Sequence, residues 1–406
     1  MAGEISSVQG GTVTSPKGFS AGATYAGIKT FAEDKMDLGL LASSTPCEVA
    51  GMFTTSTVRS PSVTINQERI ATGGKFSGLV VNSGIANACV GEQGYFDARE
   101  AASQAAGHLG LQPEEVLVGS TGIIGVELPM ALIREGLRQV QVGEDGGHNL
   151  ARAIMTTDTF PKEGAVSFEH NGKSVTIGGI AKGSGMIHPN MATMLCYLTT
   201  DAEVDKGFLA AALKRAVDSS LNMLTVDGDS STNDSVLLFA NGEAGAGPIR
   251  AGSPAGDTFQ DALTQLCVHL TRLLAQDGEG ASRIMQVVVE GASSEADARA
   301  AAKTIASSNL VKSAVHGADP NWGRVMAALG RSGAAVSEEK VALYINDVCL
   351  VEDGRPIPFH RDAVVVLMKG DEVTFRVKLN LGEAQATAWG CSLSEEYVTI
   401  NSAYTT

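Results

Sequence analysis

The residues best placed for chemistry lie in one stretch, Gly178-Gly-Ile-Ala-Lys182-Gly-Ser-Gly185-Met-Ile-His-Pro189-Asn-Met-Ala192-Thr193-Met-Leu-Cys-Tyr-Leu198. It opens with small residues around a single cation, Lys182, turns at Pro189, and runs into an apolar strand with Thr193 at the junction. A Thr hydroxyl attacks a carbonyl only when a base takes its proton. By pattern alone Thr193 is a β-favouring residue at the mouth of a core strand, and Lys182 a solvated loop lysine. Spacing does not establish a nucleophile.

Other motifs fail on context. Gly18-Phe-Ser-Ala-Gly22 has the G-x-S-x-G spacing, but the residues before it are too short and polar for the strand a nucleophile elbow needs. Asn171-Gly172-Lys173-Ser174 resembles part of a phosphate loop, yet Ser167 stands where the first Gly belongs. Asp227 to Asn233 begins like a calcium loop, but Thr232 takes the place of the invariant Gly and Leu238 that of the closing Glu. No G-x-G-x-x-G occurs, so a dinucleotide site has no support. The seven histidines are scattered without metal-ligand spacing, and no metal is expected.

Alternating strand and helix signals argue for a mixed α/β fold. Gly78 to Val81 reads as a short strand ending in a turn at Asn82-Ser83-Gly84. Asp97 to Leu109 and Leu128 to Val142 have helical spacing. Asn171-Gly172 between alternating runs predicts a hairpin. Leu195 to Leu198 reads as a buried strand, and Ala202 to Met223 and Phe259 to Ala275 as long helices. Beyond these, Ala296 to Ser308 reads as helix. Val341 to Ile345, Val364 to Met368, Val373 to Leu379 and Gln385 to Trp389 read as strands. The division expected is a catalytic α/β domain over residues 1–290 and a smaller α+β domain over 291–406.

The 406 residues allow two or three domains, and a net charge of −15 with no Lys/Arg cluster argues against nucleic acid and anionic membranes. No run of 18 apolar residues and no signal-peptide core is present, so no membrane span is expected. Six dispersed Cys without a C-x-x-C pair fit reduced thiols and a cytoplasmic location.

The run Lys182-Gly-Ser-Gly-Met-Ile-His-Pro-Asn-Met-Ala-Thr193-Met-Leu resembles the cleavage and nucleophile segment of the ornithine acetyltransferase family. Further similar segments follow in the same order: Asn82-Ser-Gly, Gly119-Ser-Thr121-Gly122-Ile-Ile-Gly125, Thr156-Thr-Asp-Thr-Phe-Pro-Lys162, Asp277-Gly-Glu279-Gly280, Gly317-Ala-Asp-Pro-Asn-Trp-Gly-Arg324 and Asn401-Ser-Ala-Tyr-Thr-Thr406. Ile85 departs from the pattern, which has Asn there. Read alone, Asp319-Pro-Asn is a helix start.

The resemblance implies a layered α/β sandwich of the N-terminal-nucleophile type. It implies self-cleavage between Ala192 and Thr193 into fragments 1–192 and 193–406, which pair into a heterotetramer of two copies each. Thr193 then carries the acetyl group from N-acetylornithine to glutamate by ping-pong kinetics. Its new α-amine, with an ordinary pKa of about 7.7–8.0, is the base that the hydroxyl lacks. By the same resemblance Thr121 and Gly122 form the oxyanion hole, and Thr156, Lys182, Thr193, Glu279, Asn401 and Thr406 bind substrate, with Lys182 meeting the α-carboxylate and Glu279 the side-chain ammonium of ornithine. No cofactor is implied. Some members also take acetyl from acetyl-CoA, and no coenzyme A motif is readable here. A related aminopeptidase or amidase, with water as acceptor, is the rival reading. Deleting Ala403 to Thr406 is expected to cripple transfer while leaving cleavage largely intact, read by a transfer assay beside an intact mass. Full activity in that truncation removes Thr406 from the site.

Overall fold

Strands buried on both faces read as largely apolar runs, and Leu195–Thr200 and Ser235–Ala240 are of this kind, apolar but for Thr199, Thr200 and Ser235 and with every residue buried. The structure is a computed structural model that describes residues 4–29, 35–188 and 194–403. Among these, the two strands run parallel, side by side, in the middle of a nine-stranded sheet. On one side lie Lys173–Lys182, Lys162–His170 and Ile5–Ser7; on the other lie Leu38–Phe53, Phe76–Ile85 and Val116–Ile123, with Phe19–Thr24 also on Leu38–Phe53. Asn171 and Gly172 both take positive φ (49° and 71°), the turn that joins the twisted strands Lys162–His170 and Lys173–Lys182.

The sheet folds over on itself. The strand Leu38–Phe53 pairs with Phe76–Ile85 through its first half and with Ser235–Ala240 through its second, and the register slips between Ala42 and Cys47. Alternate residues then face two different cores. Leu195, Tyr197, Leu237 and Phe239 meet Leu41, Leu79, Val81 and Leu117 between the two sheet layers. Cys196, Leu198, Val236 and Leu238 face the helices Lys206–Asp218 and Pro254–Gln276. Val80, Val116 and Val118 face Gln93–Leu109 and Met130–Gln139 on the opposite side. The result is a helix–sheet–sheet–helix sandwich, the α/β layering expected.

A second, six-stranded sheet comprises Arg355–Pro356, Val348–Glu352, Ala342–Ile345, Glu372–Lys378, Ile284–Ala292 and Ala384–Cys391, in that order. Its apolar face joins the core under the helix Pro254–Gln276, and a bridge between Leu224 and Trp389 ties it to the sandwich.

Three element readings are corrected. Asn82-Ser83-Gly84 is no turn: the strand runs on to Ile85 beside Val116–Ile123, with φ of 102° at Gly84. Ala202 to Met223 is not one helix. It is a two-residue strand, Glu203–Val204, then the helix Lys206–Asp218, then a separate 3-10 turn, Leu221–Met223. Val364 to Met368 belongs to the helix Arg361–Met368: Val364 and Met368, four apart, are buried, while Val366 and Leu367 face solvent. A β-branched run says little when only one face is covered.

All six cysteines are free, four of them buried. No helix among the described residues is long and apolar enough to cross a membrane.

Candidate active site

Lys182 is the last residue of Lys173–Lys182, opposite Leu195, and Leu195 in turn stands opposite Ser235. The end of the strand Val116–Ile123 comes to the same end of the sandwich from the other layer, because the Asn233 side-chain amide donates to Ala86 O (2.6 Å) and Ser120 O (2.7 Å). Between them lies a cleft of about 700 Å³, counted out to solvent, lined among others by Thr121, Gly122, Thr156, Lys182, Glu279 and Asn401. Six residues from five separate segments, all expected at a site, thus share one cavity.

The Lys182 ammonium is buried and donates to Thr156 Oγ1 (2.8 Å) and Thr121 Oγ1 (3.3 Å). No carboxylate lies within 4.0 Å of it among the described residues. Burial lowers its pKa, with Lys162 acting in the same sense and Asp158, Asp234 and Glu279 opposing. An unpaired cation in such surroundings gains most from an arriving anion. Thr121 accepts from Lys182, so its own O–H is left to donate into the cleft. Gly122 has φ of 130°, and a Cβ there would stand 2.2 Å from the Gly84 carbonyl carbon, so only Gly fits.

Across the cleft, Glu279 is buried in what the sequence presents as a surface turn. Its carboxylate accepts from Thr157 Oγ1 (2.8 Å) and Asn401 Nδ2 (2.7 Å), both neutral. A Cβ on Gly185 would lie 2.4 Å from that carboxylate, so the glycine makes its room. Asn401 arrives on the terminal helix Glu395–Ala403, which buries no residue of its own. Of the neighbours Thr156 and Thr157, the first meets Lys182 and the second Glu279, and both line the cleft.

Behind both groups, Lys162 is fully buried between Asp158 (2.5 Å) and Asp277. Asp158 also accepts from the N–H groups of Thr156 (2.9 Å) and Gly183 (2.7 Å), and Asp277 from that of Thr159 (2.9 Å). Burial alone would raise the Asp158 carboxyl; Lys162, Lys182 and these donors outweigh it and lower it to about 2. The loops carrying Thr156, Gly183 and Glu279 are therefore tied to one buried ammonium.

The ArgJ family model matches residues 20–406. The chain belongs to the ArgJ family. The protein of Symbiobacterium thermophilum called arginine biosynthesis bifunctional protein ArgJ is 50% identical over 398 residues, 98% of this chain and 99% of that protein. The protein of the same description from Dehalococcoides mccartyi is 47% identical over all of both chains. The solved structure of the protein so named from Bacillus halodurans matches with 38% identity and a TM-score of 0.50, covering 51% of this chain and 98% of its own.

Of the residues singled out within this family segment, Ala192, Thr193 and Thr406 lie outside the described residues. Ile85 is buried beside Val80 and Val118, its backbone O accepting from Asn82 Nδ2 (2.8 Å), so its side chain packs under a helix and not in the cleft. Sequence reasoning missed Asn233 and Asp234, which line the cleft, and the part Lys162 plays behind it. A legible signal existed: Thr232-Asn233-Asp234 precedes a mostly apolar strand, Ser235–Ala240, much as Thr193 precedes Leu195 in the sequence. Replacing Lys162 with Met strands two buried carboxylates. It is expected to cost about 3–5 kcal/mol, read as a lower urea midpoint at unchanged slope.

Proposed function

We propose that this chain is a self-processing acetyltransferase of arginine biosynthesis, moving acetyl from N-acetylornithine to glutamate through an acetyl ester on Thr193. The observation that carries this is the pair of uncompensated charges in one cleft. Lys182 offers a buried cation without a carboxylate partner, and Glu279 a buried carboxylate held only by neutral donors. A carboxylate at one end and an ammonium at the other is the charge pattern of ornithine. Glutamate brings a carboxylate to the same lysine.

The chemistry then runs through this chain's own groups. Thr193 Oγ attacks the Ala192 carbonyl, the ester hydrolyses, and the freed α-amine becomes the base. In turnover Oγ attacks the acetyl carbonyl while Thr121 O–H and Gly122 N–H meet the developing oxyanion; one such donor is worth about 10²–10³ in rate. Ornithine leaves, and the glutamate amine attacks the ester. Thr156, Asn401 and Thr406 complete the substrate contacts. Acetyl-CoA serves as a further acetyl donor in this reading, in keeping with the word bifunctional in the relatives' names. The fragments 1–192 and 193–406 remain together as a cytoplasmic heterotetramer, in which the 1–290 and 291–406 regions act as catalytic and terminal domains. The Bacillus halodurans structure supports the cut, since a chain matched over 98% of its length accounts for only 51% of this one.

An intact mass under denaturing conditions tests the reading, wild type beside Thr193→Ala. Two fragments parting between Ala192 and Thr193, absent in the variant, are expected; an unbroken wild-type chain sinks the mechanism. A transfer assay with and without glutamate separates it from an amidase, which turns over equally in both. Lys182→Met is expected to lower kcat/KM for donor and acceptor alike by about 10²-fold or more, the cost of losing a buried charge partner.

A further inference from the structure

The scheme above gives Ser184 and Thr157 no step of their own. Ser184 is 2% exposed and carries the only side chain in Gly183-Ser184-Gly185, and Thr157 lines the cleft. Their hydroxyl oxygens lie 2.7 Å apart, and Thr157 Oγ1 stands 2.8 Å from Glu279 Oε1. A carboxylate only accepts, and a hydroxyl has one proton to give. The Thr157 proton is therefore committed to Glu279, and the Ser184 O–H is the donor to Thr157. The two hydroxyls make a directed relay that ends on the carboxylate.

The surroundings hold that relay in line. Glu279 N–H donates to Ser184 O (2.9 Å), so Ser184 grips the main chain of Glu279 directly and its carboxylate through Thr157. Gly183 N–H is fastened to Asp158 (2.7 Å), and Gly185, lacking a side chain, leaves the carboxylate its room. The other carboxylate oxygen, Oε2, is held by Asn401 from a terminal helix that buries no residue. The grip on Oε1 thus comes from the packed body of the protein. Thr156 and Thr157 have Cα atoms about 3.8 Å apart, yet Thr156 meets Lys182 and Thr157 meets Glu279. Two consecutive hydroxyls set the cation and the anion of the cleft against each other.

We propose that Thr157, backed by Ser184, is the positioning residue that makes the cleft select an acetyl donor with a side-chain ammonium. This rests on the acetyl-transfer reading, in which that ammonium meets Glu279. The relay fixes Oε1, so the carboxylate presents one orientation at a set distance from Lys182. An arriving ammonium finds it already aimed and loses less in ordering it. Thr157 acts through Glu279, and Ser184 through Thr157. A donor without the ammonium gains nothing from either.

The test compares kcat/KM for N-acetylornithine with that for N-acetylnorvaline, the same donor with hydrogen in place of the ammonium. Their ratio does not depend on how much enzyme is folded or cut. Wild type is expected to favour N-acetylornithine. Thr157→Val is expected to lower the ratio about 10-fold, the scale of one hydrogen bond to a charged group, through a higher KM for N-acetylornithine. Thr157→Ser should restore it. Ser184→Ala should lower it less, and the double variant no further than Thr157→Val alone, because the relay has a single end. An unchanged ratio in Thr157→Val overturns the assignment, and so do falls that add in the double variant. Equal loss on both donors overturns it too, for the role would then be general. A wild type that does not distinguish the donors, or transfers from neither, sinks the acetyl-transfer reading of Glu279 instead.

Discussion

A single ammonium organises this molecule's chemistry. Lys162, fully buried between Asp158 and Asp277, is the point at which three separate parts of the chain are fastened. Such a cluster adds little stability over an apolar replacement, because desolvation offsets the attraction, but breaking it is costly. What it supplies is register. Asp158 holds the backbone at Thr156 and Gly183, and Asp277 lies two residues before Glu279. The groups lining the cleft are thus fixed relative to one another by partners that lie behind them.

The cleft itself is arranged by charge left unspent. Lys182 is surrounded by hydroxyls and Glu279 by a hydroxyl and an amide, so neither is neutralised by the protein. Glycines at 122 and 185 hold open the space where backbone and carboxylate approach closely.

The fold was legible where local signals are strong. Asn171-Gly172 announced its hairpin, and the apolar runs at Leu195 and Val373 announced their strands. Legibility failed where tertiary context overrides local preference. Val364 to Met368 looks like a strand, yet only one face is covered and helical spacing prevails. The strand Leu38–Phe53 serves two sheet layers, which no local window reveals. The site was readable through its resemblance, and little of it otherwise. Glu279 in an Asp-Gly-Glu-Gly turn gives no hint of burial, because that burial depends on Gly185, ninety-odd residues away, lacking a side chain. Lys162 and its two carboxylates are likewise brought together only by folding.

The strand order carries one more consequence. Leu195–Thr200 and Ser235–Ala240 lie inside the sheet, flanked on both sides by strands from residues before Gly183. The downstream piece is therefore a wedge, and the upstream piece alone has a gap two strands wide. A chain cut before Thr193, as proposed, keeps every ladder hydrogen bond among the described strands. Once denatured, however, it must refold by encounter of two molecules, at a rate set by concentration, whereas the uncut precursor refolds by itself. The cut proposed above would make assembly a one-way event: a cut chain is easily kept and poorly rebuilt.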